Sequence, residues 1–172
     1  LTLKNTHYAL IFNKDKKTKN LTVRIHSSCL TGDLMGSQKC DCGYQLETAL
    51  DYMSKSKNMS ILIYLNQEGR GLGIHNKIIS YNIQEKGWDT YQADNILGFS
   101  GDERDYKAAA EILKFFKVKK LNLITNNPEK IEFLKKNKIT VNKMIKIKPG
   151  LNPHNKKYLE TKKIIGKHLL NL

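Results

Sequence analysis

The run Ile61-Leu-Ile-Tyr-Leu65 is unbroken apolar sequence, and Gln67-Glu-Gly-Arg-Gly-Leu-Gly73 follows it almost at once. A run of that length bounded by turn residues reads as a buried strand. The glycines then allow backbone amides to come close to an anion, and a helix expected over residues 74–86, stopped by Gly87, adds a favourable partial charge at its N-terminus. Strand, glycine-rich loop and helix together predict a layered domain in which other elements cover that strand.

The remaining pattern supplies those elements. Residues 8–12 read as a strand, followed by a polar turn over 13–20. Leu21, Val23 and Ile25 alternate with Thr22, Arg24 and His26, the period of a half-buried strand, so Arg24 and His26 share its polar face. Leu46, Ala49, Leu50 and Met53 recur at helical spacing and predict an amphipathic helix over 44–56 with Gln45 at its start. Trp88 to Phe99 reads as irregular, with Thr90 and Asp94 inside it. A helix over 108–116 follows Asp102-Glu-Arg-Asp-Tyr106, and the acidic cluster has a capping explanation. Further strands are expected at 121–125 and 139–147. Helices are expected at 128–136, where Pro128 suits a first turn, and from Tyr158 to Leu170. Alternating strands and helices argue for an α+β, α/β-like domain: one central mixed β-sheet flanked by helices, a single domain over residues 1–172.

Composition narrows the chemistry. The chain has 172 residues, a size that buries a core without disulfide staples. Its net charge of +14 invites a nucleic-acid reading, but only three of its thirty basic residues are arginine and the lysines are scattered. Scatter of that kind is the mark of a solvated surface, so no specific nucleic-acid partner is expected. The arginines, Arg24, Arg70 and Arg104, each fall inside a polar motif, where a planar, always charged fork suits phosphate or carboxylate. No run approaches the roughly 18 apolar residues of a membrane span, and the first residues are not a signal peptide. An odd number of cysteines fits a reducing compartment, the cytoplasm by default, better than a disulfide framework.

All three cysteines, Cys29, Cys40 and Cys42, lie within fourteen residues of one polar loop. Zinc accepts thiolate sulfur readily, and three protein ligands leave a coordination position for water. Two alternatives stand beside that reading. The thiols are inert core residues, or His26 completes a closed, structural Cys3His site. An open site would make its water acidic enough to attack an electron-poor carbon. The signature of the zinc nucleobase deaminases is absent. The Gln67–Gly73 loop matches neither the Walker nor the dinucleotide pattern, and Glu68 beside Arg70 suits a ligand offering both donors and acceptors, as guanine does.

Taken in order, Arg24-Ile-His-Ser, Cys29-Leu-Thr-Gly-Asp, Gly36-Ser-Gln-Lys-Cys-Asp-Cys-Gly43, Gln67-Glu-Gly-Arg-Gly, Gly98-Phe-Ser-Gly-Asp-Glu-Arg-Asp105 and Thr125-Asn-Asn-Pro128 resemble the GTP cyclohydrolase II family over nearly the whole chain. The resemblance implies a magnesium-dependent hydrolase that converts GTP to formate, pyrophosphate and 2,5-diamino-6-(5-phospho-ribosylamino)pyrimidin-4(3H)-one, the first step of riboflavin biosynthesis. It implies one zinc per chain on Cys29, Cys40 and Cys42, magnesium with the triphosphate, and a homodimer. It makes Arg104 the group that attacks the α-phosphate, Asp102 its proton acceptor, and Tyr81 a neighbour of the ring-opening step at C8. It places the nucleotide against Arg24, Ile25, His26, Ser27, Ser28, Gln45, Glu68, Gly69, Arg70, Thr90, Thr125 and Lys130. Three positions depart from the family pattern: Ser28 replaces a common glutamate, and Lys39 and Asn66 replace arginines. Guanidinium is a poor nucleophile, so a second role for Arg104 is to stabilise charge on the phosphates. Two other functions compete: a basic nucleic-acid-binding module with a structural Cys3His zinc, and a relative that binds GTP without completing deformylation.

Overall fold

A computed structural model of the chain describes residues 6–14, 21–100 and 102–172, so most of the expected 13–20 turn lies outside the described residues. Five strands, β1 (Tyr8–Phe12), β2 (Thr22–Ser27), β3 (Ser60–Leu65), β4 (Lys120–Ile124) and β5 (Thr140–Ile145), form one sheet in the order β1-β3-β2-β4-β5. β1 runs antiparallel to β3, while β2 is parallel to both β3 and β4, and β4 to β5. The mixed sheet and its flanking helices are the α+β architecture expected from the sequence.

Among the described residues six α-helices flank the sheet: α1 (Cys42–Lys55), α2 (Gly73–Glu85), α3 (Thr90–Ile96), α4 (Lys107–Phe115), α5 (Pro128–Lys136) and α6 (Lys156–Ile164). Val23, Ile25, Ile61, Ile63, Leu121 and Leu123 pack from one sheet face against Ala109 and Leu113 of α4 and Leu134 of α5. On the opposite face, Leu62 and Ile124 meet Ala49 and Met53 of α1. Helices on both faces explain why Ile61–Leu65 is uninterrupted apolar sequence. No helix among the described residues is long and apolar enough to cross a membrane.

Three expectations need correction. β2 is not half-buried, because Thr22, Arg24 and His26 on its polar face are as hidden as its apolar residues. α1 covers that face, and Gln45 in its first turn accepts a hydrogen bond from Arg24 at 2.9 Å. The stretch 88–99 is not irregular either. Asp89 caps α3 by accepting from the Tyr91 and Gln92 amides, and Gln92 returns a bond to the Asp89 amide, a reciprocal capping box. Asp89→Ala is expected to cost about 1 kcal/mol of stability, measured by urea unfolding. The last helix ends at Ile164, well short of Leu170, because Gly166 is closed in by the Tyr91 hydroxyl and the chain turns to bury Leu170 and to donate from the Leu169 amide to the Asn126 carbonyl at 2.9 Å.

Candidate active site

The chain leaves β2 for β3 on one side and later reaches β4 on the other, so β2 is the point where strand order reverses. Open sheets hold ligands outside the carboxyl ends of their parallel strands at such a point. The main cavity opens there. It is lined by Arg24, His26, Ser27 and Ser28 from the end of β2, by the three cysteines, Gln45, Glu68, Gly69, Arg70, Tyr81 and Thr90, and by Arg104, Thr125 and Lys130. Two expected residues stand apart from that lining. The Ile25 side chain belongs to the core, though its carbonyl accepts from Lys130 Nζ at 2.7 Å. Asp102 lies behind Arg104, its carboxylate gripping the guanidinium through Nε at 2.8 and 3.1 Å and through a short contact to Nη2. The capping explanation for Asp102 fails, since its oxygens hold Arg104 and it is Asp105 that accepts from the Lys107 amide at 2.7 Å.

The thiols converge. The Sγ atoms of Cys29, Cys40 and Cys42 all lie within 4.8 Å of one another and none is in a disulfide. Cys29 and Cys40 are 3.7 Å apart. Sulfurs bound tetrahedrally at a Zn–S distance of about 2.3 Å are separated by about 3.8 Å, so this triad fits zinc. A single wide helical turn over Leu30–Leu34 carries Asp33, whose carboxylate accepts from the Cys29 amide at 3.0 Å and reaches His26 Nε2 at 3.0 Å. The other ring nitrogen of His26 faces Arg24 at 3.5 Å. Both imidazole nitrogens are thus engaged away from the thiols, which removes the closed Cys3His alternative.

Electrostatics show how a cation would suit the triad. Hydrogen bonds from Cys40 and Cys42 pull the Cys29 thiol down against its burial, with Lys77 adding to the effect. Cys40 is pushed up to about 11, chiefly by Cys29, and Cys42 is raised by Cys29 and Cys40. One thiolate is favoured and its neighbours resist following, whereas a coordinated divalent cation deprotonates thiols outright. Lys77 Nζ sits 3.0 Å from Cys29 Sγ and 2.7 Å from Glu68. Burial opposes its charge, but Cys29 and Glu68 outweigh burial and hold it protonated.

Gly32 is what lets the thiols meet. A Cβ there would stand 2.8 Å from Cys40 Sγ and 3.0 Å from Cys29 Sγ. Gly32→Ala is expected to weaken zinc retention about ten- to a hundredfold, the range seen when support around a metal is disturbed, read by chelator competition. Unchanged retention would remove Gly32 from this role.

Another part of the cavity wall is cationic. Arg24 donates to the Ile124 carbonyl at 3.2 Å, yet its Nε is buried without an acceptor, as is Asn127 Nδ2 in the same wall. Buried donors without partners are rare in folded proteins, and here they belong to residues that line a cavity. Burial first, then Arg24 and Arg104, holds the Lys130 ammonium well below its ordinary value. A bound anion would relieve that strain of like charges.

The glycine loop is anchored on both sides. Gly69 and Arg70 both adopt left-handed backbone conformations, φ 58° and 60°, which sharpen the turn before α2. Glu68 accepts from the Leu30 amide at 2.5 Å as well as from Lys77, so it ties this loop to the thiol loop. Arg70 forms an ion pair with buried Asp94, donates to the Thr90 carbonyl at 3.4 Å and lies over the Tyr91 ring at 4.5 Å. Tyr81 exchanges a hydrogen bond with Thr31 at 3.2 Å beside the thiols, with Lys39 and Lys77 near its ring. Sequence reasoning left Gly32 and Lys77 without a role and named Asp94 without giving it one. It also gave none to Tyr158, Thr161, Lys162 and His168, which line the cavity from the C-terminal segment. Only Asp94 left a signal, as an acid within an α-helical spacing of Thr90.

A thiol triad fit for zinc, opening onto a cavity with a cationic end at the switch point of a mostly parallel sheet, defines an enzyme site for an anionic substrate. The family model for GTP cyclohydrolase II matches residues 2–146. GTP cyclohydrolase-2 of Helicobacter pylori is 50% identical over 154 residues, which are 89% of this chain and 78% of that protein. The proteins of the same name from Blochmanniella floridana (45% identical; 97% of this chain, 83% of that protein) and Psychromonas ingrahamii (47%; 94% and 80%) are similar over still more of the chain. The chain belongs to the GTP cyclohydrolase II family, and it is a hydrolase of that family.

Proposed function

We propose that this chain, acting as a single catalytic domain in a cytoplasmic homodimer, hydrolyses GTP to 2,5-diamino-6-(5-phospho-ribosylamino)pyrimidin-4(3H)-one, formate and pyrophosphate, opening riboflavin biosynthesis. The observation that carries this reading is one cavity bearing both the thiol triad and the three arginines of a lysine-dominated chain. Cys29, Cys40 and Cys42 would hold zinc, and Mg2+ would enter with the triphosphate. When bound, zinc supplies a Lewis acid and lowers the pKa of water for attack at an electron-poor ring carbon.

The chain's own groups do the rest. Arg24, Lys130 and Arg104 hold the polyphosphate at the cationic end. Burial opposes charge on Arg104, but the Asp102 hydrogen bonds outweigh it and keep the guanidinium protonated. We therefore assign Arg104 the stabilisation of charge developing on the phosphates as pyrophosphate leaves, rather than nucleophilic attack. Asp102 fixes the plane of the guanidinium. Ser27 and Ser28 accept from Gln67 Nε2 at 2.8 Å and from its amide at 3.1 Å, which aligns the end of β2 with the glycine loop. Thr90 and Arg70 then bound the guanine end, and Tyr81 stands beside the thiols where the ring would open. In this arrangement the nucleotide spans the cavity from the cations to the thiols.

Incubation with GTP and magnesium, followed by assays for formate, pyrophosphate and the pyrimidine, tests the whole scheme. All three products are expected. Pyrophosphate alone would indicate a truncated reaction, and none of them would end the enzyme reading.

A further inference from the structure

We propose that the segment after β5, residues 147–172, is a working wall of the nucleotide site and that Lys162 within it binds the polyphosphate. The inference rests on the GTP reading for the identity of the anion. The segment begins where the match to the family model ends.

Its attachment is specific. Asn152 Nδ2 donates to the Gln38 carbonyl at 3.2 Å, and fully buried Asn155 donates through Nδ2 to the Cys40 carbonyl at 3.4 Å and to the Gly150 carbonyl at 2.7 Å. Lys162 Nζ meets Asp41 Oδ1 at 3.2 Å. Asp41 lies between two of the thiols in sequence, is 1% exposed, and uses its other oxygen to accept from Gln45 at 2.5 Å. Beyond α6, the Leu169 amide donates to the Asn126 carbonyl in the loop after β4. The segment is therefore pinned both to the thiol loop and to the loop after β4.

What it brings is charge. Arg24 from β2, Arg104 from the approach to α4, Lys130 from α5 and Lys162 from α6 all line the cavity, and the carboxylates bonded to them are Asp102 on Arg104 and Asp41 on Lys162. Four basic side chains against two bonded carboxylates leave an excess of positive charge, and an arriving anion would restore the Lys130 ammonium, the condition for holding a polyanion. His168 lies among them: burial first, then Lys162, Arg104 and Lys130, hold its imidazole down at about 2. It is neutral there and able to hydrogen-bond an anion without adding to the repulsion.

A strut on Asp41 would be the structural alternative for Lys162, and the two roles separate by ligand. Wild-type protein, Lys162→Met and Lys162→Gln would be titrated calorimetrically with inorganic tripolyphosphate and with guanosine, and their zinc content measured. Glutamine keeps a donor for Asp41 but removes the charge. Both variants are expected to lose about tenfold or more in tripolyphosphate affinity, with guanosine within about twofold and zinc unchanged. Tripolyphosphate binding that survives in Lys162→Gln, parallel loss of both ligands, loss of zinc, or a wild-type protein that does not bind tripolyphosphate would each overturn the proposal. Lys162-dependent tripolyphosphate binding in a protein that does not turn over GTP would instead uphold the wall and defeat the GTP reading.

Discussion

Cys40→Ser is expected to leave a folded chain that no longer retains zinc and releases formate only at background. Serine preserves the shape of the loop but offers a hydroxyl where zinc would take a thiolate, and two sulfurs would not retain an ion that three could. The loss in metal affinity should exceed the roughly 10- to 100-fold that outer partners cost. Folding should survive, because the loop is also held by contacts that do not pass through the metal: the Asp33 bond to the Cys29 amide, Glu68 on the Leu30 amide and Asn155 on the Cys40 carbonyl. Elemental analysis beside a formate assay reads both effects. A zinc-free variant that still opened the ring would show the metal to be incidental.

Arg104→Lys should lower pyrophosphate release on the order of 10²- to 10³-fold, as loss of a preorganised charge at a transition state does. The native guanidinium is held in plane by the two Asp102 oxygens, at 2.8 and 3.1 Å from Nε. Lysine retains the charge but not the fork, so it can pair with Asp102 or reach the phosphate without the same orientation. A pyrophosphate-release assay at saturating GTP would show the drop in kcat. Near-normal rates would defeat Arg104 as nucleophile and as charge stabiliser alike.

The parts of the fold that were legible beforehand are those with short-range causes. Pro128 in a first turn, with Asn127 accepting from the Glu129 amide at 2.8 Å, marks α5 from neighbouring residues alone. The apolar run in β3 has no partner-dependent ambiguity. α3 was equally local, since Asp89 and Gln92 spell out its capping box, but its short length and mixed surface hid the helical period. The polar face of β2 was a different matter. Alternation reads as one wet side unless a helix is known to cover it, and α1 does so with a matching glutamine.

The same boundary runs through the site. By itself the sequence marked the candidate metal donors, because three thiols within one polar loop can meet, and it placed arginine where lysine is the rule. Tertiary structure alone decided that His26 turns to Asp33 and away from the thiols, and that Glu68 and Arg70 are anchored to Lys77 and Asp94. It alone brought Lys162 to Asp41 across 121 residues of chain. A spacing pattern encodes what neighbours in sequence can do to one another. Which distant charges share a cavity follows from strand order and packing, and no local period records it.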